Sequence, residues 1–533
     1  MSFKRVLWIA IGALTVLASG LVLRSQPGPP KPAPVIGKSL RYCNPLPIEA
    51  TSADGSPRGV NVGDATVVRE GDDFYLFGSG GGAWVSRDFL NWKYHAVDLG
   101  GSGLPSAPHV AKYNGAFYLS GTGDSVYRAP NILGPYELVG HWKNAKGEAW
   151  KSTPDGRTNR PSFDVDIFVD DDNKPYLYYP GRSIDGIYVV PLDPKDLTQF
   201  AAAPKHLFGF NAEHVWERWG EKNEFSNVAW VEGPWMFKRN GTYYIEYSAS
   251  GTQWLSYASG IYTAKNPLGP FTYSPRNPLL RQTTGIVTGP GHGCVVKGPD
   301  GNWWVFYTIV MANPPGGRRF GMDPVGFDAD GNAYSRATDS PQWAPGVVSN
   351  PARNGDSRSI PLSVNKLRNT GQLGGFSSER PGHEAAYAVD DSNGNWWEPA
   401  ESDAQPTLTV DLGSGTQWDP EQFFTVDSSR IEFLAHGDGF GRGRAGGRSE
   451  APAPNQTKAF RYKIELSADG KVYSTAVDKT KNEVTRYTEF DEIQPTRSRF
   501  VRLTITDWPR AGNPTLGVVE FTVFGKPIPA SNR

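Results

Sequence analysis

Three acids stand out by where they fall in the chain. Asp64 opens "DATVVREGDDFYLFGS", Asp164 opens "DVDIFVDDDNKPYLYY" and Glu232 opens "EGPWMFKRNGTYYIEYS". A histidine, His292, opens "HGCVVKGPDGNWWVFYT", and Pro108 holds the matching point of "APHVAKYNGAFYLSGT". Packing has little use for carboxylates at one recurring position, because an unpaired buried carboxylate is costly. Taken singly, each could do no more than bond backbone amides at a strand start. Taken together, they point to a site. Hydrolysis of a glycosidic bond needs a protonated acid on the leaving oxygen and an ionised carboxylate to activate water. A third carboxylate near the acid raises its pKa, since like charges resist joint ionisation.

The elements that must position these residues repeat. Each of the five segments reads as a short apolar strand, a tight turn and an aromatic-rich strand. The turns carry Asn114-Gly115, Asn240-Gly241 and Asp300-Gly301, or Gly71-Asp72 and Asp172-Asn173, which tolerate the positive φ that tight hairpins require. Asp171, Asp172 and Asn173 therefore read as a turn and not as a calcium loop. The glycosylation sequon at Asn240 falls in an equivalent turn and is read the same way. Successive segments start roughly 45 to 70 residues apart, which leaves room for two further strands each. The expected fold is all-β: a five-bladed β-propeller whose first strands line a central channel, followed by a β-sandwich.

Composition narrows the function classes. The chain has 533 residues, so more than one domain is expected, and 38% are hydrophobic, enough for packed cores. A formal charge of −1 gives no electrostatic case for nucleic acid. Aromatic residues reach 12%, with 17 Trp, which suits β cores and flat surfaces for sugar rings. Only Cys43 and Cys294 occur, so they form one bridge or are two buried thiols. Lys4 and Arg5 precede an apolar run over residues 6–23 and a proline-rich spacer, so residues 1–37 read as an export signal. Cleaved signal and uncleaved membrane anchor both remain open, since the run is just long enough to span. The protein is expected to be periplasmic or secreted, with the membrane touched only through that anchor.

Residues 40–343 resemble glycoside hydrolase family 43. The resemblance rests on "GDATVV", "FDVDIFVDDDNKPYLYY", "VEGPWMFKRNGTYYIEYS", "GPGHGCVVKGPDGNWWVFYT" and "GGRRFGMDPVGFDADG" taken together. It implies that Asp64 is the general base, Glu232 the general acid, and Asp164 the group that tunes and orients the acid. Asp166 is a rival for the third role; Asp164 falls where the family has Asp-Pro, although Val165 replaces that proline here. It also implies substrate contacts from Arg318 and His292. Trp84, Phe89, Trp235 and Trp254 are candidates for stacking on sugar, or are core. No cofactor is required. A calcium ion, if one binds, is expected near His292 through waters, or in the C-terminal domain; His292 is equally readable as a hydrogen-bonded core histidine.

Residues 376–528 are similar to the discoidin, or coagulation-factor type C, domain, a β-sandwich that often binds carbohydrate. They would follow a propeller over 38–345 and a linker over 346–375. The Gly/Arg-rich stretch from His436 reads as a long loop. The function expected is release of furanosyl or xylosyl residues from a polysaccharide or oligosaccharide by an inverting glycosidase. A non-catalytic carbohydrate-binding propeller and a sialidase-type glycosidase are the alternatives.

Overall fold

The computed structural model describes residues 40–50, 62–150, 161, 163–312, 317–368, 375–413, 422–434, 459–510 and 515–529. The N-terminal segment expected to act in export and the Gly/Arg-rich stretch from His436 lie outside them. The chain is all-β. Among the described residues five antiparallel sheets follow one another; four are meanders, and in the third the last strand, Lys205–Phe208, pairs back onto Ile187–Asp193. Sheet I begins with Gly63–Glu70, sheet II with His109–Tyr113, sheet III with Asp166–Val169, sheet IV with Glu232–Arg239 and sheet V with Gly291–Lys297. Sheet III carries five strands and the others four.

The expected turn residues close the first hairpins. Gly71, Asn114, Gly115, Asn173, Asn240, Gly241 and Gly301 all have positive φ. The acidic run after Phe168 is such a turn, and lysines hold its carboxylates: Lys238 pairs with Asp170 and Asp171, and Lys174 with Asp172.

Hydrogen bonds from first strands to neighbouring sheets join the five into a closed ring. The Ala107 amide donates to Ser79 Oγ at 2.7 Å, joining sheet II to I. Ile167 N donates to His109 Nε2 at 3.0 Å, and Met236 N to Asp166 Oδ2 at 2.7 Å. His292 N donates to Ser248 Oγ, and Asp64 N to Thr308 Oγ1 at 2.7 Å, which closes sheet V onto sheet I. Each bond satisfies a backbone amide that would otherwise be left unpaired.

Two further four-stranded sheets follow. One runs Ile360–Pro361, Val518–Pro527, Phe424–Phe433, Thr488–Ser498, and the other Thr407–Asp411, Phe500–Asp507, Arg461–Ser467, Ser474–Asp478. Residues of both share one apolar core that includes Val426, Ile431, Phe521, Ile464, Val501 and Leu503. Alternating strands with one buried face produce that arrangement.

This second unit grips the ring through buried charges. Arg41 donates to Glu492 and Asp427, Arg430 to the carbonyls of Asn44 and Asp339, and Arg319 to Glu432. The two cysteines are free and buried.

Candidate active site

One backbone feature recurs where the first strand of each sheet begins. Asp64, Ala107, Asp164, Gly233 and His292 all have φ between +45° and +59°. In sheets I, IV and V this residue sits in a register shift between Gly63 and Thr66, Glu232 and Trp235, and Gly291 and Cys294. The sequence reading therefore needs correction at two points. The residue equivalent to Asp64 is Ala107, not Pro108, and Gly233, not Glu232; Glu232 lies one residue earlier. Left-handed backbone is costly for residues with a Cβ, and such outliers gather at functional sites. Here the bulge turns Asp64, Asp164 and His292 toward one another.

His292 is the hub. Its Nδ1 lies 3.1 Å from Asp64 Oδ1 and 3.8 Å from Asp164 Oδ2. Arg318, on the strand Gly317–Phe327, donates through Nη1 to both oxygens of Asp64, at 2.7 and 2.9 Å. Ser79 also donates to Asp64. The Gly233 amide donates to Asp164. Tyr257 donates to Glu232 Oε1 at 2.8 Å. Gly233 carries no Cβ because one would lie 2.8 Å from the His292 ring.

The electrostatics separate these acids. Burial works against ionising Asp64, but the Arg318 charge, the His292 charge and the hydrogen bonds from His292 and Ser79 outweigh it. Its carboxyl is held well below the usual carboxylate range. Glu232 goes the other way: burial, and then the charge of Asp164, push it up to about 7. Burial, and then Asp64, raise Asp164 to about 6 against the pull of His292. His292 itself rises to about 10, since the charges of Asp164 and Asp64 overcome its burial. Near neutral pH the site thus holds one firmly ionised carboxylate and one acid close to its protonation point, the division of labour that acid–base hydrolysis requires.

Asp164 and Asp166, the two contenders for the third role, separate clearly. Asp166 accepts from Met236 N and lies 3.5 Å from His109 Nε2, and burial pushes it up to about 8. Its partners belong to the ring that ties the sheets together, and His292 faces Asp164.

The aromatic candidates divide as well. Trp84 and Phe89 are 1% and 0% exposed, packed with Phe74, Trp92, Phe306 and Phe320. No ring face is left open to a sugar, which corrects that expectation. Trp235 is half-buried, donates to Val295 O, and lines a cavity of about 240 Å³ with His109 and Asp166. Trp254 is half-buried, edge-on to Trp219 at 5.8 Å. Sequence reasoning missed Ser79, Tyr257 and Ser248, because single hydroxyls on second strands and loops carry no motif. It also missed Trp230, whose ring meets that of Phe163, the neighbour of Asp164, at 6.2 Å.

Part of the chain is similar to curated glycosidases. A β-D-galactofuranosidase of Aspergillus niger is 29% identical over 249 residues, 42% of this chain and 64% of that protein. A xylosidase/arabinosidase of Butyrivibrio fibrisolvens is 25% identical, over 47% of this chain and 49% of its own. A non-reducing end α-L-arabinofuranosidase of Bacteroides ovatus is 28% identical, over 50% of each. The chain thus spans between 49% and 64% of the length of these relatives. The crystal structure of a thermostable family-43 glycoside hydrolase aligns with 57% of this chain and 99% of its own, at 25% identity and a TM-score of 0.46. The family model of glycosyl hydrolases family 43 matches residues 60–333, more than half of the chain and the whole of the site, and the chain belongs to that family.

Proposed function

We propose that this protein is an inverting glycoside hydrolase that releases furanosyl or xylosyl residues from a polysaccharide or oligosaccharide. The observation that carries this reading is the contrast between Asp64, held ionised by Arg318, and Glu232, raised to about 7 in the same cluster. Asp64 takes a proton from water as it attacks the anomeric carbon, and Glu232 gives its proton to the leaving oxygen. Asp164 keeps Glu232 protonated by charge and is oriented by the Gly233 amide. The names of the relatives support α-L-arabinofuranosyl, β-D-xylosyl or β-D-galactofuranosyl as the sugar released.

In this reading the five sheets are the blades of a β-propeller over residues 38–345. Residues 346–375 link it to a discoidin-type sandwich over 376–528 that binds carbohydrate, and the N-terminal segment exports or anchors the protein. A calcium ion near His292 would be held through waters, because direct ligation by the imidazole does not fit the residues present. The imidazole faces two carboxylates that hold it charged, so it offers a proton where a metal needs a lone pair.

The test is hydrolysis of a panel of α-L-arabinofuranoside, β-D-xyloside, β-D-galactofuranoside and sialoside by the wild type and its Glu232→Gln variant. Cleavage of a pentoside or furanoside that the variant loses is the expected result. Cleavage of the sialoside alone, or polysaccharide binding without hydrolysis, overturns it.

A further inference from the structure

We propose that Trp219 and Trp254 form a platform for the leaving-group side of the substrate, built to hold a pyranose ring of a saccharide chain. The proposal rests on the hydrolase reading above and assigns residues to the sugar of that chain that follows the released one.

The platform is made by two loops, residues 219–228 and 249–257, and it is fastened before any ligand arrives. Ser256 Oγ donates to the Gly220 carbonyl at 2.8 Å, and Leu255 N donates to Glu221 Oε2 at 3.1 Å. Ser250 and Ser256 share a hydrogen bond of 2.9 Å. Trp219 N donates to Val228 O, and Trp230 N to Ser250 O. Gly251 packs closely against the Trp219 ring, where a Cβ would come within 2.6 Å of it. Trp219 and Trp254 meet edge to face at 82°, and both are half-buried. Beside them Phe225 is 49% and Val228 37% exposed. A fixed aromatic surface binds with little ordering cost, which is what a sugar site needs.

Two polar atoms in this patch are unpaid debts. Trp254 Nε1 and Thr252 Oγ1 are buried and have no hydrogen-bond partner among the described residues. Buried polar atoms are nearly always paired, so orphans beside an aromatic face call for a ligand that brings hydroxyls. A pyranose chair offers both: an apolar C–H face for the rings and hydroxyls at its edge.

Connectivity sets which side of the scissile bond this ring occupies. The same loop carries Tyr257, whose amide donates to Trp254 O at 3.0 Å and whose hydroxyl donates to Glu232 at 2.8 Å. Glu232 is the group that protonates the leaving oxygen. The sugar beyond that oxygen therefore lies on Glu232's side, where Trp254 stands.

The experiment compares substrates with the same released sugar: a methyl glycoside, which has no ring on the leaving side, and an oligosaccharide in which that sugar is borne on a β-1,4-linked xylose chain. Trp254→Ala is expected to raise KM for the oligosaccharide about tenfold and to leave kcat/KM for the methyl glycoside within about twofold. Trp254→Phe keeps the flat face and loses only the N–H, so it falls between. Equal losses on both substrates would mean that Trp254 acts only through Tyr257 and Glu232, and no change on either would mean that nothing stacks there; both overturn the proposal. If the wild type cleaves neither substrate, the hydrolase reading fails, and tryptophan fluorescence titrated with xylohexaose decides the platform separately. A saturable change that Trp219→Ala and Trp254→Ala abolish supports it, and a flat titration overturns it.

Discussion

Arg318 and Arg319 are adjacent on one strand and hold different acids. Arg318 holds the carboxylate of Asp64, and Arg319 donates through Nε to Glu432 of the C-terminal unit at 2.8 Å. Arg319 Nη1 also donates to the carbonyl of Arg318 at 3.0 Å, so the residue that holds Asp64 is itself held by the joint between the two units. Alternation along a β-strand sends neighbouring side chains to opposite faces, and here it couples site to interface.

Arg319 and Glu432 are 3% and 0% exposed, and Thr488 also donates to Glu432. Removing one member of a buried ion pair strands the other charge, at a cost of about 3–5 kcal/mol. Glu432→Gln is therefore expected to unfold at clearly lower denaturant concentration than the wild type. The double variant Arg319→Met, Glu432→Met is expected to recover most of that loss. A single variant as stable as the wild type would show that the pair holds nothing together.

The raised pKa of Glu232 has a sign that can be tested in two ways. Hydrolysis needs the protonated form, so kcat/KM is expected to fall as pH rises through about 7. Glu232→Gln is expected to lower kcat by about a hundred- to ten-thousandfold. Stability falls in the same direction as activity. The folded state holds this proton more tightly than the unfolded chain, so Glu232 destabilises the fold progressively as pH rises from the ordinary carboxylate range through about 7. The difference in Tm between Glu232→Gln and wild type should grow in the variant's favour across that window. A difference that stays constant with pH would show that Glu232 titrates normally.

Asp164 and Asp166 make a matched pair of variants. Asp164→Asn removes the charge that helps keep Glu232 protonated, so the alkaline limb of kcat/KM is expected to move down by about one unit or more. Asp166 is raised to about 8 by burial and accepts from the Met236 amide, so its neutral amide analogue keeps that bond. Asp166→Asn is expected to leave the pH profile in place and activity within about threefold. The reverse pattern would give the tuning role to Asp166.

Much of this was legible in the chain, for identifiable reasons. Hairpins announce themselves because Asn114-Gly115 and Asn240-Gly241 tolerate positive φ, and apolar alternation marks the strands that flank them. The acids were visible because carboxylates at a strand opening serve no packing purpose. The one-residue offset at Glu232 was not visible: a bulge shifts register without any marker but Gly233, and glycine is common in turns. Trp84 and Phe89 looked like platforms because composition cannot separate a ring that stacks on sugar from one that fills a core. Only their burial against Phe74, Trp92 and Phe320 makes the distinction. The hold of Arg319 on Glu432 joins residues 113 positions apart, beyond the reach of any local pattern.

Arg318 offers the sharpest test of the base. Its charge is the largest force keeping Asp64 ionised against burial, with His292 second. Arg318→Met removes that force, and the folded-state pKa of Asp64 must rise. Because attack needs the carboxylate, the acid limb of kcat/KM should climb to higher pH, with the loss greatest near pH 5 and partly restored near pH 6.5. Arg318→Lys keeps a positive charge beside Asp64 and should hold the limb close to its wild-type position. If Arg318→Met lowers activity equally at every pH, the arginine acts on the substrate and not on the base, and Asp64 owes its ionisation to His292 and Ser79.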